Sequence, residues 1–128
     1  YMHQSVLYFL SPVRYCLHVK DKVKHLQGDR WVAMLAALAI PHRLRIVAAL
    51  ETGGRNYVSQ LAREIGLSRP LLHLHLQKLE EAGLVTSRLE LSSDGKALKY
   101  FDVAEFGVLL APAAIAEAVK TLNLHEEE

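Results

Sequence analysis

Arg69, His73 and Gln77 stand four residues apart in the run SRPLLHLHLQKLEE, and on a helix that spacing puts them on neighbouring turns of one side. These are side chains that read flat, hydrogen-bonding edges. An arginine can give two parallel bonds to a pair of acceptors such as guanine's, and a glutamine amide can pair with adenine. A histidine offers one donor or one acceptor. Ser68 opens the same run and Lys78 follows Gln77, and both suit phosphates. Between them stand Pro70, Leu71 and Leu74, which point outward when Leu72, Leu76 and Leu79 are taken as the buried stripe. Outward apolar groups can meet thymine methyls, or they can be a contact surface for protein. Both uses stay open.

Bond-making chemistry has no foothold. The chain has no Gly-rich phosphate loop, no nucleophile elbow, and no Ser/His/Asp or paired-carboxylate constellation, so neither an enzyme nor a cofactor is expected. His73 and His75 are two apart on a helix and cannot chelate one ion as an i, i+4 pair can. Cys16, His18 and His25 are too scattered to carry a metal or redox site, and a lone cysteine is by default a small buried hydrophobe.

The elements that would position the polar run follow from local signals. In VSQLAREIG, Leu61, Ala62 and Ile65 form the apolar stripe of a short helix, and Gly66 ends it. Ser68 is an N-cap, Pro70 sits in the first helical turn, and Gly83 closes a second helix over residues 68–82. Two helices joined by so tight a turn are a helix-turn-helix, whose second helix usually enters the DNA major groove. VTSRLEL alternates, with Val85, Leu89 and Leu91 on one side and Thr86, Arg88 and Glu90 on the other. Ser92-Ser93-Asp94-Gly95 is a turn cluster, and LKYFDV returns as a second strand. The predicted class is therefore mainly α with a small β-hairpin wing over residues 85–103. Arg88, Lys96 and Lys99 on that wing are candidate phosphate or minor-groove contacts, or simply a solvated hairpin.

With these pieces in place, residues 31 to about 122 resemble the ArsR family of small dimeric winged helix-turn-helix regulators. The resemblance rests on IPHRLRIVAAL, LAREIGLSRPLLHLHLQKLEEAGLV and DGKALKYFDV, and most specifically on the spacing of Leu76, Leu79, Ala82, Gly83 and Leu84. It implies a homodimeric repressor of transcription acting on double-stranded DNA, with the wing on the backbone or minor groove. A winged-helix protein adaptor using the exposed apolar face is the alternative. The resemblance also implies that the first and last helices of the domain pair across a two-fold axis. Here those would be residues 31–39, with Trp31, Leu35 and Leu38, and residues 112–122, with Ile115, Val119 and Leu122. Family members that sense metal through thiolates carry cysteine where this chain reads Asn56-Tyr57-Val58-Ser59-Gln60-Leu61, so that site is excluded. Zinc-type sites need Asp, His and Glu spaced along the last helix, which offers only Glu117, His125 and Glu126. An unidentified small-molecule or protein effector stays open.

The rest of the chain sets bounds. At 128 residues and 51% hydrophobic it has the length of one domain and can build a core with apolar surface to spare. A single cysteine excludes an internal disulfide framework and fits a reducing, cytoplasmic setting. No apolar run approaches the length of a membrane span, and VLYFL is too short for a signal peptide. The chain opens on Tyr1 rather than Met, as expected of a trimmed or partial sequence. The net charge of +1 is unevenly spread. Residues 1–50 carry seven basic against two acidic groups, residues 51–102 seven of each, and residues 103–128 one against five. A dimer would bring two sets of basic groups to one duplex.

In the remaining segments, Asp29 is expected to cap a helix over residues 30–39, and Pro41 to open another with Leu44, Val47 and Ala48 facing inward. Residues 1–28 are expected as an extension, with strand over 5–10 and helix over 13–27, or a hairpin bent at Ser11-Pro12. The domain spans residues 29–124, and residues 125–128 are an acidic, solvated tail.

Overall fold

A computed structural model describes residues 27–123. Among them lie five helices and three strands. In chain order these are α1 (Gly28–Leu38), α2 (Pro41–Gly53), β1 (Asn56–Tyr57), α3 (Val58–Ile65), α4 (Arg69–Glu81), β2 (Val85–Leu91), β3 (Ala97–Val103) and α5 (Pro112–Val119). The expected strand over 5–10, helix over 13–27 and acidic tail fall outside the described residues. The described residues divide into two compact units, Val32–Glu105 and a second made of residues 27–31 and 106–123.

The first unit is a winged helix-turn-helix. Leu61, Ala62 and Ile65 of α3 and Leu72, Leu76 and Leu79 of α4 are buried, as their spacing predicts. A leucine removed fully from water contributes roughly 1.5–3 kcal/mol, so this stripe anchors α4. The turn between the helices is Gly66-Leu67-Ser68. Gly66 takes the left-handed conformation (φ 80°, ψ 32°) that reverses the chain without a Cβ penalty. Its N–H bonds Ala62 O at 2.8 Å, and Leu67 N–H bonds the same oxygen at 3.1 Å. The Ser68 hydroxyl accepts from Leu71 N–H at 3.4 Å, and Pro70 stands in the first turn of α4, where a missing N–H costs nothing. Arg45 of α2 donates to Ile65 O at 2.7 Å, placing a cation on the carbonyl end of α3.

One expectation within this unit needs correction. In α2 the buried residues are Ile46 and Leu50, whereas Leu44 is 53% exposed, Ala48 is exposed and Val47 is only half-buried. PHRLRIVAAL is apolar on several sides, so periodicity alone leaves its register open. Packing against α3, α4 and β3 selects the Ile46–Leu50 face. The expected hairpin is present as β2 and β3, and a short third strand that was not expected joins it, in the order β1-β3-β2 with antiparallel pairing throughout. β1 pairs Asn56 with Phe101 and Tyr57 with Tyr100. Two residues are too few to show an alternation.

The β2–β3 register runs from Val85↔Val103 to Leu91↔Ala97. Its turn closes through Ser92 N–H to Lys96 O at 2.7 Å, with Gly95 at φ 85°. Val85 and Phe101 are buried at its base, while Leu89 and Leu91 on the same face are not.

In the second unit, α5 starts at Pro112 as expected and ends at Val119. Its buried residue is Ala118, and Ile115 and Val119 are exposed. Asp29 is not a cap, because the helix already begins at Gly28. Its carboxylate instead accepts from Asn123 N–H at 3.0 Å and from the Asn123 amide at 2.7 Å. The Thr121 hydroxyl accepts from Gly28 N–H at 2.7 Å. These bonds clasp the start of α1 to the segment after α5. No single helix among the described residues is long and apolar enough to cross a membrane.

Candidate nucleic-acid interface

Two clefts beside α4 share residues. One, of about 270 Å³, is lined by Tyr57, Val58 and Ser59 at the start of α3, Arg69 and His73 of α4, and Ala97, Leu98 and Lys99 of β3. The other, of about 340 Å³, is lined by Pro70, His73, Leu74, Gln77 and Glu80 of α4 with Lys99 and Phe101 of β3. His73 and Lys99 belong to both. The fold thus gathers Arg69, Pro70, His73, Leu74, Gln77 and Lys99 along one open trough between helix and wing. Tyr57 and Ser59 line it too, although nothing in their residue types marked them beforehand. Their place at the start of the first helix of the pair was the available signal.

The trough holds one carboxylate, Glu80, which accepts from the Ser87 hydroxyl at 2.5 Å. Among the described residues no carboxylate pairs with Arg69, His73, Lys96 or Lys99. The Lys99 ammonium lies 5.4 Å from the centre of the Phe101 ring, a cation–π contact that steadies it without cancelling its charge. The Gln77 amide donates to Glu81 at 3.4 Å, a weak bond that a better partner can replace.

Other predicted residues stand elsewhere. Lys78 lies 3.6 Å from Glu81 and lines a separate hollow with Ala33, Ala36 and Ala37 of α1 and Arg43 of α2. Leu71, 38% exposed, is outside both clefts. Ser68 caps α4. Arg88 is paired across from Tyr100, whereas Lys99 is paired across from Leu89. Alternation therefore puts Arg88 on the far face of the wing, with Glu90 and Asp102. Lys96 sits at the wing tip, its backbone N–H held by the Ser92 hydroxyl at 3.2 Å.

Under α4 the chemistry is structural. Arg43 Nε–H donates to His75 Nδ1 at 3.2 Å and Arg43 Nη1 to Ala37 O at 3.3 Å, tying α2 to α4 and to α1. Accepting at Nδ1 requires a neutral imidazole with its proton on Nε2. Burial, with the Arg43 and His42 charges adding to it, holds His75 below the ordinary histidine pKa. The His42 ring stands 5.6 Å from that of His75. Among the described residues no three His, Cys, Asp or Glu side chains converge as a metal site.

Comparison with known proteins gives three findings. The family model described as the bacterial regulatory proteins of the arsR family matches residues 41–87, from α2 into β2. An uncharacterized HTH-type transcriptional regulator of Methanocaldococcus jannaschii is 40% identical over 75 residues, covering 59% of this chain and 77% of the relative. A crystal structure of a possible transcriptional regulatory protein from Mycobacterium bovis, a fragment of residues 1–100, is 27% identical. It superposes with a TM-score of 0.51 over 60% of this chain and 76% of its own.

Proposed function

This chain belongs to the arsR family of winged helix-turn-helix transcriptional regulators, and from that premise we propose that it is a homodimeric repressor that reads a palindromic DNA duplex. The observation that carries this reading is the trough. Arg69, His73 and Gln77 on α4 and Lys99 on β3 present donors and positive charge to one open space. An α4 laid in the major groove would offer Arg69 to a guanine, Gln77 to an adenine, and Leu74 to a thymine methyl. Lys99 and the tip residue Lys96 would then meet phosphates, while Ser68, Lys78 and Arg88 could reach the backbone only at the margins.

Dimerisation is part of the proposal. Ile115 and Val119 leave an apolar stripe on α5 exposed, and Trp31, Leu35 and Leu38 of α1 are only half-buried. A second copy would cover both. Two copies of α4 would then lie one helical turn apart in successive major grooves. An effector, if there is one, would be a small molecule or a protein. Thiolate sensing at the start of α3 is ruled out by its composition, Val58-Ser59-Gln60.

Selection of bound duplexes from a random library, at low and at moderate salt, tests this reading. Enrichment of a palindrome, with affinity that falls steeply as salt rises, is expected. Absent or salt-insensitive binding would refute it and favour an adaptor docking protein through Leu71 and Leu74.

A further inference from the structure

The alternation that buries Val85 and Phe101 continues outward along the wing to side chains that nothing in its unit covers. Leu89 is 70% exposed and Leu91 is 78% exposed. The register sets Lys99 opposite Leu89 and Ala97 opposite Leu91. Directly opposed residues of an antiparallel pair share a face. One face of the wing therefore ends in an apolar ladder, Leu89, Leu91 and Ala97, with Lys99 beside it.

That face looks toward α4. Ser87, which belongs to it, donates its hydroxyl proton to Glu80 of α4 at 2.5 Å, and Phe101 and Lys99 line the cleft shared with His73 and Gln77. The acids of the two strands are segregated from it. Glu90 and Asp102 stand on the other face, where Arg55 holds Glu90 at 2.6 Å. Asp94, at the tip, is turned into its own loop, accepting from the Ser92 hydroxyl and, at 3.3 Å, from Lys96 N–H.

A wing face whose own side chains include no carboxylate, with Leu89, Leu91 and Ala97 beside Lys99 and Glu80 of α4 confined to its base, fits a polyanion whose charges flank a recessed floor. The DNA minor groove is such a surface: sugars and base edges lie between two rows of phosphates. The ladder is also continuous with the trough proposed for the major groove. Resting on the reading of the chain as a duplex binder, we propose that Leu89 and Leu91 enter the minor groove flanking each half-site and wedge against a base step. Apolar side chains that do this partly unstack the step and bend the duplex. Pyrimidine–purine steps yield most readily, so the wing would select a TA or CA step at a position that receives no hydrogen bond.

The test repeats the duplex selection with the unaltered chain, with Leu89→Ser/Leu91→Ser and with Leu89→Met/Leu91→Met. Bending of the recovered duplexes is then measured by circularly permuted gel mobility. Both leucines are exposed, so the serine variant should keep its fold, which circular dichroism checks. The unaltered chain should enrich a TA or CA step at a fixed offset outside each half-site and bend the duplex. The serine variant should recover the same half-site core without that step, bind it roughly tenfold more weakly and bend it less. The methionine variant should behave as the unaltered chain does. Identical flanks and bends in all three would overturn the wedge while leaving the duplex reading intact. So would a serine variant that changes only sedimentation, which would mark the ladder as a contact between copies. If the unaltered chain enriches no duplex at all, the duplex reading fails and the wedge with it.

Discussion

Replacing Gly28 with alanine should loosen the clasp at the end of α5, against the usual stabilising effect of alanine in a helix. A Cβ at Gly28 would stand 2.1 Å from Ala118 O, 3.1 Å from Ala118 C and 3.1 Å from Leu122 N. All three are backbone atoms, so no side chain can swing aside, and the segments must separate by roughly 1 Å to restore contact distance. Separation also strains the 2.7 Å bond from Gly28 N–H to Thr121 and the two bonds from Asn123 to Asp29. Overpacking of this kind costs about 1–3 kcal/mol, and a lost, partly exposed hydrogen bond about 1 kcal/mol more. Alanine returns about 0.5–1 kcal/mol of helix propensity. The net expectation is a local loss of about 2 kcal/mol, which lowers hydrogen-exchange protection of the α5 amides by roughly 30-fold. Thr121→Val, which removes the acceptor without a clash, should cost about half as much. Unchanged or greater protection in Gly28→Ala would refute the reasoning, since that is what an uncrowded helical glycine gives.

Acid should weaken the fold through His75. Its pKa is lowered in the folded chain from the ordinary 6.5, so between the lowered value and 6.5 the unfolded chain binds more protons. Stability then rises with pH across that window, and the contribution is lost as pH falls through it and stays lost below it. Urea midpoints at about pH 7.5 and about pH 5.5 should differ more for the native chain than for His75→Gln, and parallel shifts would count against this account. Ile115→Asp should give monomers in sedimentation at micromolar concentration, because a carboxylate in an apolar seam has no partner; an unchanged dimer would exclude α5 from the interface. Arg69→Ala should cost on the order of 1–3 kcal/mol in duplex affinity and relax preference at one base pair per half-site. Lys96→Ala should weaken all duplexes alike and flatten the salt dependence; loss of base preference in the lysine variant would reverse these assignments.

What could be read from the sequence was whatever short-range rules decide. Gly66, Ser68 and Pro70 specify a turn and a helix start within five residues, and Leu72, Leu76 and Leu79 repeat on one clear face; all of these hold. What escaped was decided by distant partners. The face of α2 depends on what α3, α4 and β3 present to it, and Asp29 bonds a residue 94 positions away. The leucines of β2 announce a common face, but alternation cannot tell whether anything lies opposite, and beyond Ser87 nothing of its own unit does. In the candidate site, Arg69, His73 and Gln77 were legible from helical spacing. The separation of Arg88 from Lys99 is a matter of strand register, which neither residue type nor charge reveals.

Labour is divided cleanly along α4. Leu72, Leu76, Leu79 and His75 hold it in place, while Arg69, Pro70, His73 and Leu74 make no side-chain hydrogen bond or ion pair within the described residues. Changes at such independent positions add nearly without coupling to the core. New residues at positions 69, 73 and 74 can therefore accumulate one at a time without passing through unfolded intermediates. A duplicated copy of this chain could drift to a different target while its scaffold stays fixed, and the same three positions are where a deliberate redesign of specificity would begin.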